Sequence, residues 1–201
     1  MKILYIIGMT GGISCGKSAV AESLRRYAGA TNLDIDRVTR WLLAPGGELF
    51  EIYIRHFGRS VVTEEGELDR RAIGEIIFNQ PDERTWINSV AHPILLNHAR
   101  DFLVECSAAG AGLVVLEVPL LFEAGWEHLF DEIWAVYTKR QFQIKRLMSR
   151  DNLTKPQALA RINAQMSREE ICARADVVIK NVGGYSAVRR QIFEALGGRR
   201  F

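Results

Sequence analysis

The sequence predicts a parallel α/β fold, a five-stranded sheet flanked by helices and carrying two further helical blocks. Five short apolar runs predict the strands: Ile3 to Ile7, Thr31-Asn32-Leu33 leading to Asp34, Leu113 to Val118, Ile133 to Tyr137 and Val177 to Ile179. They are nearly all apolar rather than alternating, the pattern of strands covered on both faces, and helical stretches separate them. The third observation is the run Gly11-Gly12-Ile13-Ser14-Cys15-Gly16-Lys17-Ser18, a complete G-x-x-x-x-G-K-[ST] directly after the first apolar run. Val20, Leu24 and Tyr27 follow at helical spacing, so the order is strand, glycine turn, helix.

That context gives the motif a mechanism. Glycines let successive backbone N–H groups converge on phosphate oxygens, and the new helix presents its unpaired N–H groups and positive dipole end to the same anion. The expected ligand is a nucleoside triphosphate such as ATP, with residues Gly11 to Ser18 around it. Lys17 is expected to neutralise the β and γ phosphates and the Ser18 hydroxyl to ligate Mg²⁺. Cys15 lies where N–H groups converge near a helix N-terminus, which favours thiolate and predicts sensitivity to thiol reagents.

Composition narrows the class. At 201 residues with 48% hydrophobic and 25% charged residues, the chain is long enough for one large core with inserted subdomains. No run approaches the about 18 apolar residues of a membrane span. The apolar start passes straight into the glycine loop without a small-residue cleavage site, so no signal peptide is expected. Cys15, Cys106 and Cys172 are far apart without C-x-x-C spacing, which predicts a reducing, cytoplasmic compartment. The net charge of +2 conceals a basic segment: Lys139 to Arg174 holds nine Lys or Arg against three Asp or Glu. A local basic segment suits a compact polyanion rather than duplex nucleic acid, so no nucleic-acid partner is expected.

Two stretches are too long for simple crossovers. Between Val38 and Cys106, Leu49, Ile52, Tyr53 and Phe57 make one helical stripe and Ile73, Ile76 and Ile77 another. Pro93 is expected to interrupt a helix or to start one after His92, since it cannot donate a hydrogen bond inside one. In the basic segment Thr154-Lys155-Pro156-Gln157 and Ser167-Arg168-Glu169-Glu170 fit the capping-box pattern, which predicts a helix break at each.

Candidate chemistry gathers at the strand ends, where open parallel sheets bind ligands. Asp34 and Asp36 flank Ile35, and period-two alternation would send both carboxylates to one face. One of them is expected to serve as base for an attacking hydroxyl, Asp36 in preference, while Asp34 organises Mg²⁺ and water; a helix cap is the alternative. Arg146 and Arg150 share a helix face, a charge fork suited to a lid over transferring phosphate, with the larger effect expected at Arg150. Arg161, Gln165 and Arg168 fall at i, i+4 and i+7 and predict a second polar stripe. His92 is either a satisfied core histidine or an acceptor contact. The third strand lacks the terminal Asp of a typical Walker B element, although Glu117 lies within it, and no D-x-x-G or N-K-x-D guanine reader is present. Residue chemistry alone reaches phosphoryl transfer to a small acceptor with lid closure and does not identify the acceptor. A nucleoside or nucleotide monophosphate kinase is one alternative, and a nucleotide-gated switch is disfavoured by the missing guanine reader and by the Arg146/Arg150 pair.

With these residues in view, the chain resembles the dephospho-coenzyme A kinases over nearly its whole length. The opening G-[LM]-T-G-G-I-x-x-G-K-S is Gly8 to Ser18, the D-A-D element is Asp34-Ile35-Asp36, and G-x-L-D-R-R is Gly66 to Arg71, followed by Phe78. His92-Pro93, Val118-Pro119-Leu120-Leu121-Phe122-Glu123, the lid residues Gln143, Arg146 and Arg150, Arg161-Ile162-Asn163-Ala164-Gln165, Ala175-Asp176 and Asn181 complete the set. There are two departures: Ser14-Cys15 stands where the family usually has Gly-Ser, which stiffens the loop and adds a thiol, and Ile35 replaces alanine.

The resemblance implies a P-loop NTPase fold with an adenylate-kinase-like core (residues 1–37, 107–138 and 169–201), a helical coenzyme-binding domain (38–106) and a lid (139–168). It implies Mg·ATP-dependent phosphorylation of the ribose 3′-hydroxyl of dephospho-coenzyme A by a monomer or weak homo-oligomer. Arg70, His92, Leu120, Arg161 and Gln165 would contact the acceptor, and Asn181 the nucleotide site.

Overall fold

The structure, a computed structural model, describes residues 4–199, the side chains of Arg70 and Phe78 excepted. Ile3 and those two side chains, all invoked from the sequence, lie outside the described residues. In chain order the elements are β1 (Tyr5–Thr10), α1 (Lys17–Ala28), β2 (Thr31–Asp34), α2 (Ile35–Leu42), α3 (Glu48–Phe57), α4 (Arg70–Asn79) and α5 (Pro81–Ala108). They continue with β3 (Leu113–Glu117), β4 (Glu132–Tyr137), α6 (Arg140–Asp151), α7 (Lys155–Asn163), α8 (Arg168–Arg174), β5 (Val177–Lys180) and α9 (Tyr185–Leu196). Two compact units result: residues up to Asp34 with those from Phe102 onward, and Ile35–Asp101.

The first unit is built on a five-stranded, all-parallel sheet in the order β2-β3-β1-β4-β5. Parallel pairing explains the apolar strands, because helices cover both faces of such a sheet. β3 is buried at every position, and Ile7, Met9, Val115, Trp134, Val136 and Ile179 form a core with Val20 and Leu24 of α1 and Val188 and Ile192 of α9. Two carboxylates complete the hydrogen bonding where strands begin: Asp131 accepts from the Ile6 N–H at 2.8 Å and Asp176 from that of Ile133 at 2.7 Å. The first strand runs three residues further than its apolar segment indicates, through Gly8-Met9-Thr10, because pairing with β3 and β4 holds it to the edge of the glycine loop.

The basic segment belongs to this unit and breaks where its caps predict. Asn152, in the left-handed region at φ 51°, stops α6; the capping boxes at Thr154 with Gln157 and at Ser167 with Glu170 start α7 and α8. Those breaks overturn the second polar stripe. Arg161 lies in α7, Gln165 in the α7–α8 linker and Arg168 in α8, so the i, i+4, i+7 relation along one helix does not apply.

The second unit contains α2 to α4 and most of α5. Its α5 also corrects an expectation: the helix runs 28 residues straight through Pro93. Proline removes one backbone donor and crowds the preceding turn, but Ile87, Ala91, Leu95 and Ala99 repeat every four residues as a buried stripe that carries the helix past it. The Asp34/Asp36 argument from strand alternation fails here too, since β2 ends at Asp34 and α2 already contains Asp36. Asp36 instead stands in the first turn of α2, where an acid complements the helix dipole.

Pro93 is solvent-exposed, so its replacement forfeits no core packing. Pro93→Ala restores a helical donor and raises unfolding free energy by about 1–3 kcal/mol, after allowance for the greater freedom of the unfolded chain. Thermal or urea unfolding checks this, and a lower stability would show that the helix needs its proline.

Candidate nucleotide-binding site

β1 delivers the chain to the glycine loop and α1 takes it away, leaving residues 11–16 to turn with three residues at positive φ: Gly11 at 141°, Ser14 and Gly16. Gly16 has φ 95°, and a Cβ there would stand 2.2 Å from Nδ2 of Asn181, so only glycine meets both demands. Ser14 also takes the left-handed region, at φ 57°, where the resemblance would place glycine. That backbone strain is of order 1–2 kcal/mol.

Side chains hold the carbonyl of every residue from 11 to 15. Lys17 Nζ donates to Gly11 at 2.8 Å and to Gly12 at 3.4 Å, and Gln143 Nε2 donates to Ile13 at 3.0 Å. Arg146 Nη1 reaches Ser14 at 3.3 Å and Cys15 at 3.5 Å, and Asn181 Nδ2 donates to Cys15 at 2.9 Å. Asn181 is itself fixed at the end of β5: its carbonyl accepts from the Thr138 hydroxyl at 2.7 Å and its N–H donates to Tyr137 at 2.8 Å. A peptide held by its carbonyl presents its N–H on the opposite edge, and N–H groups presented in succession are what an anion nest is made of.

Beside the loop lies an acidic pair. Ser18 Oγ donates to Glu117 Oε2 at 2.8 Å, and Glu117 is only 7% exposed. Asp34 is the register partner of Glu117 across β2 and β3, so the two carboxylates project from the same sheet face. The paired hydroxyl and carboxylate are hard oxygen donors of the kind Mg²⁺ takes, and that ion needs only one or two carboxylates when phosphates supply other ligands. Glu117 is thus the partner of Ser18 that sequence reasoning underweighted; its signal was a lone acid closing the apolar run Leu113 to Leu116.

A cavity of about 520 Å³ opens between Gly11 and Gly12, the end of β4 at Thr138, and the α7–α8 segment with Gln165 and Arg168. Its size is that of a small-molecule site. The Arg168 guanidinium sits 5.6 Å from the Tyr137 ring centroid, placing a cation on its wall.

Of the residues predicted to act, the structure brings Gly11 to Ser18, Asn181, Arg146 and Gln165 together. Gln165 arrives by accepting from the Ile13 N–H at 2.7 Å. Arg150 and Arg161 both pair with Asp151: Arg150 bonds both of its oxygens, at 2.7 and 3.1 Å, and Arg161 shares Oδ2 at 2.8 Å. The hydrogen bond from Arg150, with the charges of both arginines, holds the Asp151 carboxyl below its ordinary range. Arg146 contacts the loop carbonyls of Ser14 and Cys15. Leu120 follows β3 with its side chain exposed. Asp36, His92 and the α4 residue Arg70 belong to the second unit, where burial pushes the His92 pKa down and favours the neutral ring. Among the described residues no helix is long and apolar enough to cross a membrane.

The expected thiolate at Cys15 is not what the loop builds. Its side chain is 1% exposed and burial pushes the thiol pKa up, overriding Lys17 and Arg146 nearby. A raised pKa leaves less thiolate at any given pH, and burial denies the reagent access. Brief treatment of the folded protein with iodoacetamide at pH 8 should label the partly exposed Cys172 before Cys15. Peptide mass spectrometry showing Cys15 modified first would overturn this ordering.

With the geometry in place, comparison with known proteins is decisive about kinship. The dephospho-CoA kinase family profile matches residues 5–186. A dephospho-CoA kinase of Carboxydothermus hydrogenoformans is 42% identical over 196 residues, covering 98% of this chain and 95% of that one. The crystal structure of TT1252 from Thermus thermophilus superposes with a TM-score of 0.79 at 35% identity, covering 97% of both chains. A dephospho-CoA kinase from Campylobacter jejuni gives 0.67 at 27% identity, over 97% of this chain and 96% of its own. A phosphate loop alone names a superfamily, whereas a full-length match of this kind is specific: the chain belongs to the dephospho-CoA kinase family.

Proposed function

We infer that the protein transfers the γ-phosphoryl group of ATP to the ribose 3′-hydroxyl of dephospho-coenzyme A, yielding coenzyme A and ADP, the last step of coenzyme A formation. The observation that carries phosphoryl transfer is the loop whose five successive carbonyls are each engaged by a side chain, beside a Ser18 hydroxyl held by Glu117. The acceptor follows from the family and from its relatives' near-full-length identity.

The chain's own groups divide the work. Loop N–H groups bind phosphate oxygens, and Lys17, now resting on the Gly11 and Gly12 carbonyls, swings its charge onto the β and γ phosphates. Ser18 and Glu117 would hold Mg²⁺, which supplies neutralisation of phosphate charge when bound. Asp34 orients water at the same place. Asp36 accepts the proton from the 3′-hydroxyl as its oxygen attacks the γ-phosphorus and the bond to the ADP oxygen breaks. Loss of such a base costs roughly 10²- to 10⁴-fold in rate. Arg70, His92, Leu120 and Arg161 hold the acceptor, Arg161 after leaving Asp151. Arg146 supplies the fork that stabilises charge on the transferring group, which a point charge reproduces poorly.

The test is ADP release against a panel of acceptors: turnover with dephospho-coenzyme A and none with nucleosides or nucleoside monophosphates. A preference for a monophosphate would replace this acceptor with that one. A second measurement addresses the arginines. Arg146→Ala should lower kcat and kcat/KM together by roughly 10³-fold or more, as for arginines acting in the transition state of related chemistry, with a smaller loss in Arg150→Ala. Full activity in Arg146→Lys would remove Arg146 from the chemistry.

A further inference from the structure

Ile13 of the phosphate loop is gripped through both of its backbone groups, which belong to the successive peptides Gly12–Ile13 and Ile13–Ser14, by carboxamides from the basic segment. Gln143, in the first turn of α6, donates to the Ile13 carbonyl at 3.0 Å. Gln165, in the α7–α8 linker, accepts from the Ile13 N–H at 2.7 Å. The two contacts span 130 and 152 residues of sequence, so both are products of tertiary structure. Gly12 makes room for the first, because a Cβ there would lie 2.7 Å from Nε2 of Gln143.

The two backbone groups differ in chemistry. The carbonyl is of no use to a phosphate, so Gln143 binds Ile13 without competing with an anion. The N–H is the one a phosphate oxygen takes, and an N–H donates well to one acceptor at a time. The Gln165 oxygen occupies that place with a neutral carbonyl, whereas a charged phosphate oxygen makes the stronger, charge-assisted bond. Gln165 also lies in a short linker between two capped helices, which lets it leave without unwinding either.

We propose that Gln165 is a displaceable latch: its carboxamide holds the Ile13 N–H until a nucleotide phosphate replaces it, and its release loosens the α7–α8 linker, while Gln143 keeps the next peptide, Ile13–Ser14, oriented throughout. The resemblance assigns Gln165 to the acceptor; this geometry assigns it to the nucleotide phosphates as their competitor. The latch makes the linker respond to nucleotide before any acceptor arrives. It rests on the nucleotide reading of the loop but not on the identity of the acceptor.

The two glutamines therefore have opposite effects on nucleotide affinity. By calorimetry without acceptor, Gln165→Ala should bind ADP about fivefold more tightly, the fold-change of one net hydrogen bond no longer in competition. Gln143→Ala should bind it more weakly. Gln165→Met, which keeps the side chain's length and loses the acceptor, repeats the first measurement with less disturbance of packing. In the absence of nucleotide, the Ile13 amide should exchange faster in Gln165→Met than in the parent, with exchange read by NMR. Unchanged or weaker ADP binding in both Gln165 variants overturns the latch, as does slower Ile13 exchange. A parent protein that binds ADP but leaves dephospho-coenzyme A unphosphorylated sinks the acceptor assignment and leaves the latch standing; a parent that binds no ADP sinks both.

Discussion

A peptide unit is planar, so a carbonyl turned outward turns its N–H edge the other way, and the phosphate loop depends on that rigidity. From residue 11 to residue 15 each carbonyl is engaged by Lys17, Gln143, Arg146 or Asn181. A loop this rich in glycine has conformational entropy to lose, and holding it by side chains lowers what anion binding must later supply. The strain at Ser14, with φ 57°, persists because these contacts over-determine the turn around it.

The partners that hold the loop are placed by the sheet. β1 lies between β3 and β4, so its carboxyl end is bordered by Glu117 on one side and by Thr138 on the other. Thr138 fixes Asn181 beyond β5, and Asn181 reaches back to Cys15. A chain of hydrogen bonds thus ties the edge strand to the central loop. Parallel pairing makes this possible, because it brings the carboxyl ends of all five strands to one rim.

Charge within the basic segment is handled by pairing rather than by exposure. Asp151 is bonded by Arg150 through both oxygens and by Arg161 through Oδ2, joining the end of α6 to α7, while Arg146 rests on loop carbonyls. Exposed pairs of this sort are worth only about 0–1 kcal/mol, weak enough for the arginines to exchange a carboxylate for phosphate. The arrangement keeps cationic groups beside the site without locking them there.

The sequence by itself determined the local events. Apolar strands, the strand–loop–helix order, the phosphate loop and both capping boxes were legible because each rests on neighbours within a few residues. The ordered motifs along the chain also identified the family. Tertiary structure decided the rest. Glu117 became the partner of Ser18, Gln143 and Gln165 met at Ile13, and Arg146 reached the loop, all through contacts about 100 residues or more apart in sequence. Burial, not the local N–H environment, set the chemistry of Cys15, and a buried stripe carried α5 through Pro93 where propensity predicted a break. Periodicity reports which face of an element is apolar; which distant groups come within hydrogen-bond reach is fixed only once the elements pack.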